Sequence, residues 1–135
     1  PQMASQTFEL VTPERLEKSV DAELVAVPGA EGDFGVLPGH APTITALRPG
    51  VVSVFATMGS ASDDIFVSGG FAEITDERVV VLADSAKPVA EISQEDAQLA
   101  LTEAQAAVSA ASSDGEAMVA AQQLAVAEAM IRAKA

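Results

Sequence analysis

The chain has 135 residues, with 20 acidic against 7 basic side chains, a formal net charge of −13 and no cysteine. The missing cysteines exclude disulfides, thiolate metal sites and cysteine nucleophiles, and a single histidine excludes a multi-histidine metal centre built within the chain. The acidic charge is spread through both halves, so nucleic acid and anionic lipid are poor partners, since both are bound through clustered Lys and Arg.

Apolar residues make up 49% of the sequence, enough for a folded core. There is no Trp or Tyr and there are five Phe, which argues against stacking of bases or sugars. No apolar run approaches the ~18 residues that a membrane-crossing helix needs, so direct lipid insertion is not expected. The opening P-Q-M-A-S-Q-T-F shows no secretory pattern, and a soluble intracellular protein is the expectation.

From Thr7 to about Ala86 the chain reads as β. Phe8–Val11 alternates and stops at Thr12-Pro13. Ser19–Val27 alternates, becomes continuously apolar, and stops at Pro28-Gly29. Gly32–Pro42 then reads G-D-F-G-V-L-P-G-H-A-P, three glycines and two prolines around the only histidine, and is expected to form a stiff loop. Thr43–Leu47 follows, then a turn at Arg48-Pro49-Gly50, then Val51–Thr57. Asp64–Ser68, Phe71–Thr75 and Arg78–Ala83 complete the series. Short strands with regular turn signals indicate an antiparallel β-sandwich. Leu24–Val27 and Val79–Leu82 are apolar on both faces, which implies burial between layers or under a partner.

Composition changes near Lys87, which divides the chain into a sandwich domain (1–87) and a helical hairpin (88–135). Alanine, the best helix former, supplies a third of residues 91–135. Ser93 with Asp96, and Ser113 with Glu116, have capping-box spacing, which predicts helices over about 93–111 and 114–133. Ala97, Leu101, Ala104, Val108 and Ala111 would face Ala117, Ala120, Leu124, Ala127 and Ile131. An alanine seam buries little area and gives weak cohesion. Arg132 and Lys134 sit where cations suit a helix C-terminus.

The candidate chemistry is sparse. Glu31 and Asp33 flank Gly32 and read as a solvated turn, an acidic partner-facing loop, or a carboxylate pair. A carboxylate pair would need a cleft that nothing in the sequence suggests. His40 reads as a loop pin bonding nearby backbone, or as a partner contact. No nucleophile elbow accompanies it. Gly29, Gly32, Gly35 and Gly39 lack the Lys and the strand-to-helix context of a phosphate loop.

The segments E-G-D-F-G-V-L-P-G-H-A-P (Glu31–Pro42), L-R-P-G (Leu47–Gly50), V-S-G-G-F-A-E-I (Val67–Ile74) and V-V-V-L-A-D-S-A (Val79–Ala86) occur in the order found in the epsilon subunit of the rotary F-type ATP synthase, which the chain resembles. The resemblance implies a β-sandwich with a C-terminal helical hairpin, no catalytic residues and no metal. It implies a central-stalk rotor subunit that binds the gamma subunit and the c-ring and couples proton flow to ATP synthesis. Such a subunit is peripheral, on the cytoplasmic face of the bacterial inner membrane. The family's ring-facing loop corresponds to Glu31, Gly32 and Asp33, with His40 close by.

Some members inhibit hydrolysis through the hairpin, contacting the beta subunits, or bind ATP through an I/L-D-x-x-R-A motif. Here that motif reads Ile92-Ser93-Gln94-Glu95-Asp96-Ala97. Ser93 replaces the aspartate and Asp96 reverses the arginine's charge, so no bound cofactor is expected. Residues 91–135 are acidic, which disfavours docking on an acidic segment. The alternatives are a hairpin-mediated inhibitor and a small acidic enzyme using Glu31, Asp33 and His40.

Overall fold

The computed structural model describes residues 5–135. It divides into two compact units, one ending at Pro88 and one running from Val89 to Ala135.

The first unit holds ten strands: β1 (Gln6–Val11), β2 (Leu16–Ala22), β3 (Leu24–Gly29), β4 (Gly32–Val36), β5 (Thr43–Leu47), β6 (Gly50–Phe55), β7 (Asp63–Val67), β8 (Gly70–Ile74), β9 (Arg78–Ala83) and β10 (Ala86–Pro88). Their register explains the sandwich. β5 pairs with β8 from Thr43↔Ile74 to Leu47↔Gly70, and β6 pairs with β7 from Gly50↔Val67 to Val54↔Asp63. The two ladders share one unbroken register. Residues 43–54 and 63–74 are therefore two long strands, each interrupted by two residues at the same level. The third strand repeats the device. β9 pairs with β8 up to Ala83↔Gly70, and β10 resumes on β7 at Ala86↔Val67.

Arg48-Pro49-Gly50, expected as a turn, contains one of three aligned breaks, at Arg48-Pro49, where strands pass from one sheet to the other. Proline has no N–H to give to a ladder. On the neighbouring strand, just past its break, Gly70 has φ +138°, and a Cβ built there would lie 2.0 Å from the Leu82 carbonyl oxygen. Only glycine fits so tight a corner.

The corner divides the strands into a first sheet, β5-β8-β9-β1-β2, and a second, β10-β7-β6-β3-β4. Most pairings are antiparallel, but β1 lies parallel to β9. Inward positions of both sheets form the core, with Phe8, Val25, Val52, Val67, Val79 and Val81 among the fully buried side chains. Gln6 joins this inward series, and its Nε2 donates to the Val36 carbonyl at 2.8 Å, tying β1 to β4 across the sandwich.

Two segments differ from the sequence expectation. Ser19–Val27 is the end of β2 and most of β3, separated at Glu23, because the continuously apolar half joins the other sheet. Gly32–Val36 is a strand, although its glycines and lack of early β-branching read as loop. It is held by pairing with β3 from Gly29↔Gly32 to Val25↔Val36.

The second unit contains a 3-10 turn (Val89–Glu91), α1 (Gln94–Ala110) and α2 (Asp114–Ala133). Ser93 and Asp96 form a complete capping box, with Asp96 N–H donating to Ser93 Oγ (2.9 Å) and Ser93 N–H to Asp96 Oδ2 (3.3 Å). Ser113 caps α2 by accepting from Glu116 N–H (3.1 Å). The return bond goes one residue earlier than the motif predicts, since Glu116 Oε1 accepts from Ser112 N–H (3.2 Å). The helices run antiparallel, because the last turn of α2 meets the entry to α1. Ala97, Ala104, Ala120 and Ala127 are buried between short side chains. Val108 and Ala117, expected in the seam, are exposed, and at the link end the helices leave an open groove lined by Ala107, Ala111, Val119 and Ala120.

Candidate functional site

The motif-bearing stretch Gly32–Pro42 is not one loop. Ala30 and Glu31 form the tip of the β3–β4 hairpin, at the corner of the sandwich. Neither has positive φ, and Gly32 takes the unusual angle instead, at φ +145°. Ala30 N–H donates to the Ala46 carbonyl (2.9 Å), which fixes the tip against β5. Asp33 is exposed and ion-paired with the Arg48 guanidinium, which also donates to the Gly29 carbonyl. Arg48 N–H bonds the Pro28 carbonyl (3.0 Å). The acidic hairpin is thus braced by the break residue of the neighbouring strand.

β4 then carries the chain away from the corner. Four strand steps of about 3.3 Å place Val36 roughly 13 Å from Gly32. The segment Leu37–Pro42 crosses to the start of β5 at the opposite end, where Gly39 N–H donates to the Asp76 carbonyl in the β8–β9 turn (2.7 Å). His40 Nδ1–H donates to the Ala41 carbonyl (2.7 Å). The expectation that His40 lies close to Glu31, Gly32 and Asp33 is therefore corrected. A strand separates them, and no acid–base group assembles from Glu31, Asp33 and His40.

The structure adds residues that motif reading passed over. On the outward face of the first sheet, cross-strand partners run Ala46↔Phe71, Phe71↔Leu82, Leu82↔Val11 and Val11↔Leu16. The result is one apolar row across five strands. Phe71 is 55%, Leu82 45% and Leu16 54% exposed, and Ile44 one step away on β5 is 71% exposed. A row of this kind on a monomer marks a contact surface. The signal was in the sequence: Val79–Leu82 is apolar on both faces, and half of that run faces outward. Ala46 stands beside the acidic tip, so the row begins where the hairpin ends.

The beta-sandwich domain of the ATP synthase delta/epsilon chain, as a family model, matches residues 5–89. The chain belongs to this family. Its relatives match beyond the sandwich. The ATP synthase epsilon chain of Rhodospirillum rubrum is 47% identical over 133 residues, covering 98% of each chain. That of Paramagnetospirillum magneticum is 47% identical over 128 residues, covering 95% of this chain and 96% of the other. A chain in the cryo-EM structure of Euglena gracilis mitochondrial ATP synthase (OSCP/F1/c-ring) superposes with a TM-score of 0.83 at 29% identity, over 96% of this chain and 81% of that one. A chain in the central stalk/c-ring structure of Tetrahymena thermophila mitochondrial ATP synthase shares the fold over the whole of both chains, with a TM-score of 0.73 at 11% identity.

As a member of the ATP synthase delta/epsilon family, the protein is a non-catalytic subunit of that complex. Among the described residues no helix is long and apolar enough to cross a membrane. Ser93 and Asp96, where the resemblance leads one to expect an altered nucleotide motif, form the α1 cap and satisfy each other's backbone.

Proposed function

We propose that this epsilon chain is a rotor subunit of the central stalk that links the gamma subunit to the c-ring and so couples proton flow to ATP synthesis. The observation that carries the reading is the pairing of two different contact surfaces on one rigid sandwich. The apolar row Ala46–Phe71–Leu82–Val11–Leu16 is suited to permanent burial against gamma. The charged tip Glu31–Gly32–Asp33 is suited to basic polar loops of the ring, where charge complementarity sets registry and encounter rate. A sandwich with a continuous core transmits torque because its packed interior resists shear.

Ring contact is assigned to the corner hairpin. His40 lies at the other end and serves to shape the Leu37–Pro42 crossing. The hairpin helices carry no role in nucleotide binding. The subunit sits peripherally on the cytoplasmic face of the bacterial inner membrane, held by its partners.

The test is reconstitution of the purified complex with altered epsilon chains. Phe71→Thr should weaken binding to isolated gamma and leave ring association through the tip intact. Glu31→Lys should do the reverse. Retention of both contacts by both variants would overturn the assignment.

A further inference from the structure

A polar tie joins the two ends of the helical unit. The Val89 carbonyl, at the first residue of the unit, accepts from Ile92 N–H (3.1 Å). It also accepts from the Lys134 ammonium (3.1 Å), across 45 residues of chain and in a partly buried setting. Lys134 returns a second bond, since its carbonyl accepts from Gln94 Nε2 (3.4 Å) in the first turn of α1. Its own N–H closes the last turn of α2 onto the Met130 carbonyl (3.2 Å). One residue thus grips the 3-10 turn, the start of α1 and the end of α2.

The rest of the contact between the helices is weak by composition. Its buried positions include Ala97, Ala104, Ala120 and Ala127, and an alanine methyl removes little apolar area from water. Open grooves flank the pair at the link end and at the opposite end. The opposite end carries the tie, where a charged donor serves a carbonyl that is already part of the 3-10 turn. Hydrogen bonds from charged donors are the stronger kind.

We propose that Lys134 is a latch on the helical unit, and that its ammonium sets how readily α2 parts from α1. Removing it leaves the backbone bonds of Lys134 in place but takes away the side-chain tie between the end of α2 and the 3-10 turn that leads into α1, so both ends should loosen together. Arg132 provides the control. It carries the same charge on the same last turn, so a general effect of cations on the helix dipole would appear equally at either residue.

The experiment is hydrogen exchange by mass spectrometry on the full chain, comparing wild type with Lys134→Met, Lys134→Arg and Arg132→Met. In Lys134→Met, exchange should rise about tenfold both in residues 92–101 and in residues 121–133. Lys134→Arg keeps the charge and reach and should remain near wild type, as should Arg132→Met. The sandwich strands serve as the internal reference for intact folding. Faster exchange confined to the last few residues would mean ordinary fraying and would overturn the latch. Equal effects from Arg132→Met and Lys134→Met would overturn it as well.

Discussion

Arg48 and Asp33, 15 residues apart in sequence, form an ion pair that binds the break between β5 and β6 to the β3–β4 hairpin. The same guanidinium holds the Gly29 carbonyl. Asp33 is therefore both an exposed charge and part of the brace. Asp33→Lys would place two cations together, which confounds loss of a partner contact with loosening of the tip. An exposed pair contributes at most about 1 kcal/mol, so Asp33→Asn should lower stability by no more than that in urea unfolding. Glu31→Lys leaves the brace intact. It should reduce association of the assembled stalk with isolated c-ring at least tenfold while leaving the unfolding midpoint unchanged.

Phe71 and Leu82 are partners in the outward apolar row. Replacing Phe71 with Thr keeps a β-favouring residue and removes the largest ring of the surface. Equilibrium binding to isolated gamma should weaken at least tenfold, about 1.4 kcal/mol. Thermal stability should hold, since the side chain is more than half exposed. A matched change inside, Val67→Asp, should unfold the sandwich, because Val67 is fully buried.

Gly70 is the steric limit of the corner. Its φ of +138° and the 2.0 Å approach to the Leu82 carbonyl leave no room for a methyl group. Gly70→Ala should cost at least about 3 kcal/mol, measured by urea denaturation of the sandwich.

Ser93 caps α1, at the position where the resemblance expects the aspartate of a nucleotide motif. Ser93→Ala should cost the helical unit about 1 kcal/mol, seen as lower helicity by circular dichroism. Isothermal titration of the wild-type chain with ATP should show no binding at micromolar concentration. A clear binding isotherm would reverse the reading of this helix end.

Glu17 is held below its ordinary pKa, first by the hydrogen bond from Arg15, against the opposing effect of burial, and further by the charge of Arg15 and the hydrogen bond from Thr12. A carboxylate with a lowered folded-state pKa contributes stability above its unfolded value of 4.5, and loses it as pH falls through the lower folded value. Glu17→Gln should therefore be less stable than wild type at neutral pH. The difference should fade once acid has protonated the wild-type carboxyl, as urea midpoints taken from pH 7 down to pH 2.5 would record. The exposed setting keeps the effect small.

Much of the fold was legible because local chemistry and tertiary structure agree. The strands Thr43–Leu47 and Arg78–Ala83 announce themselves by β-branching and bounded length. Ser93 and Ser113 start the helices by satisfying backbone donors within three residues, a strictly local requirement. The family was legible too, through a run of motifs in order.

What sequence could not give was the meaning of the breaks. Pro49, Gly69 and Gly70 signal a turn in any local reading. Only the shared register of β5–β8 with β6–β7 shows that the chain continues through them into the other sheet. The same limit applies to Gly32–Pro42. By itself the sequence determined a glycine-rich stretch with acids at one end and a histidine at the other. Pairing with β3 made its first half a strand and put Asp33 and His40 at opposite ends of the sandwich. The apolar row of Phe71 and Leu82 likewise exists only once five strands are in register, because a surface is a property of neighbours that the chain brings together from distant positions.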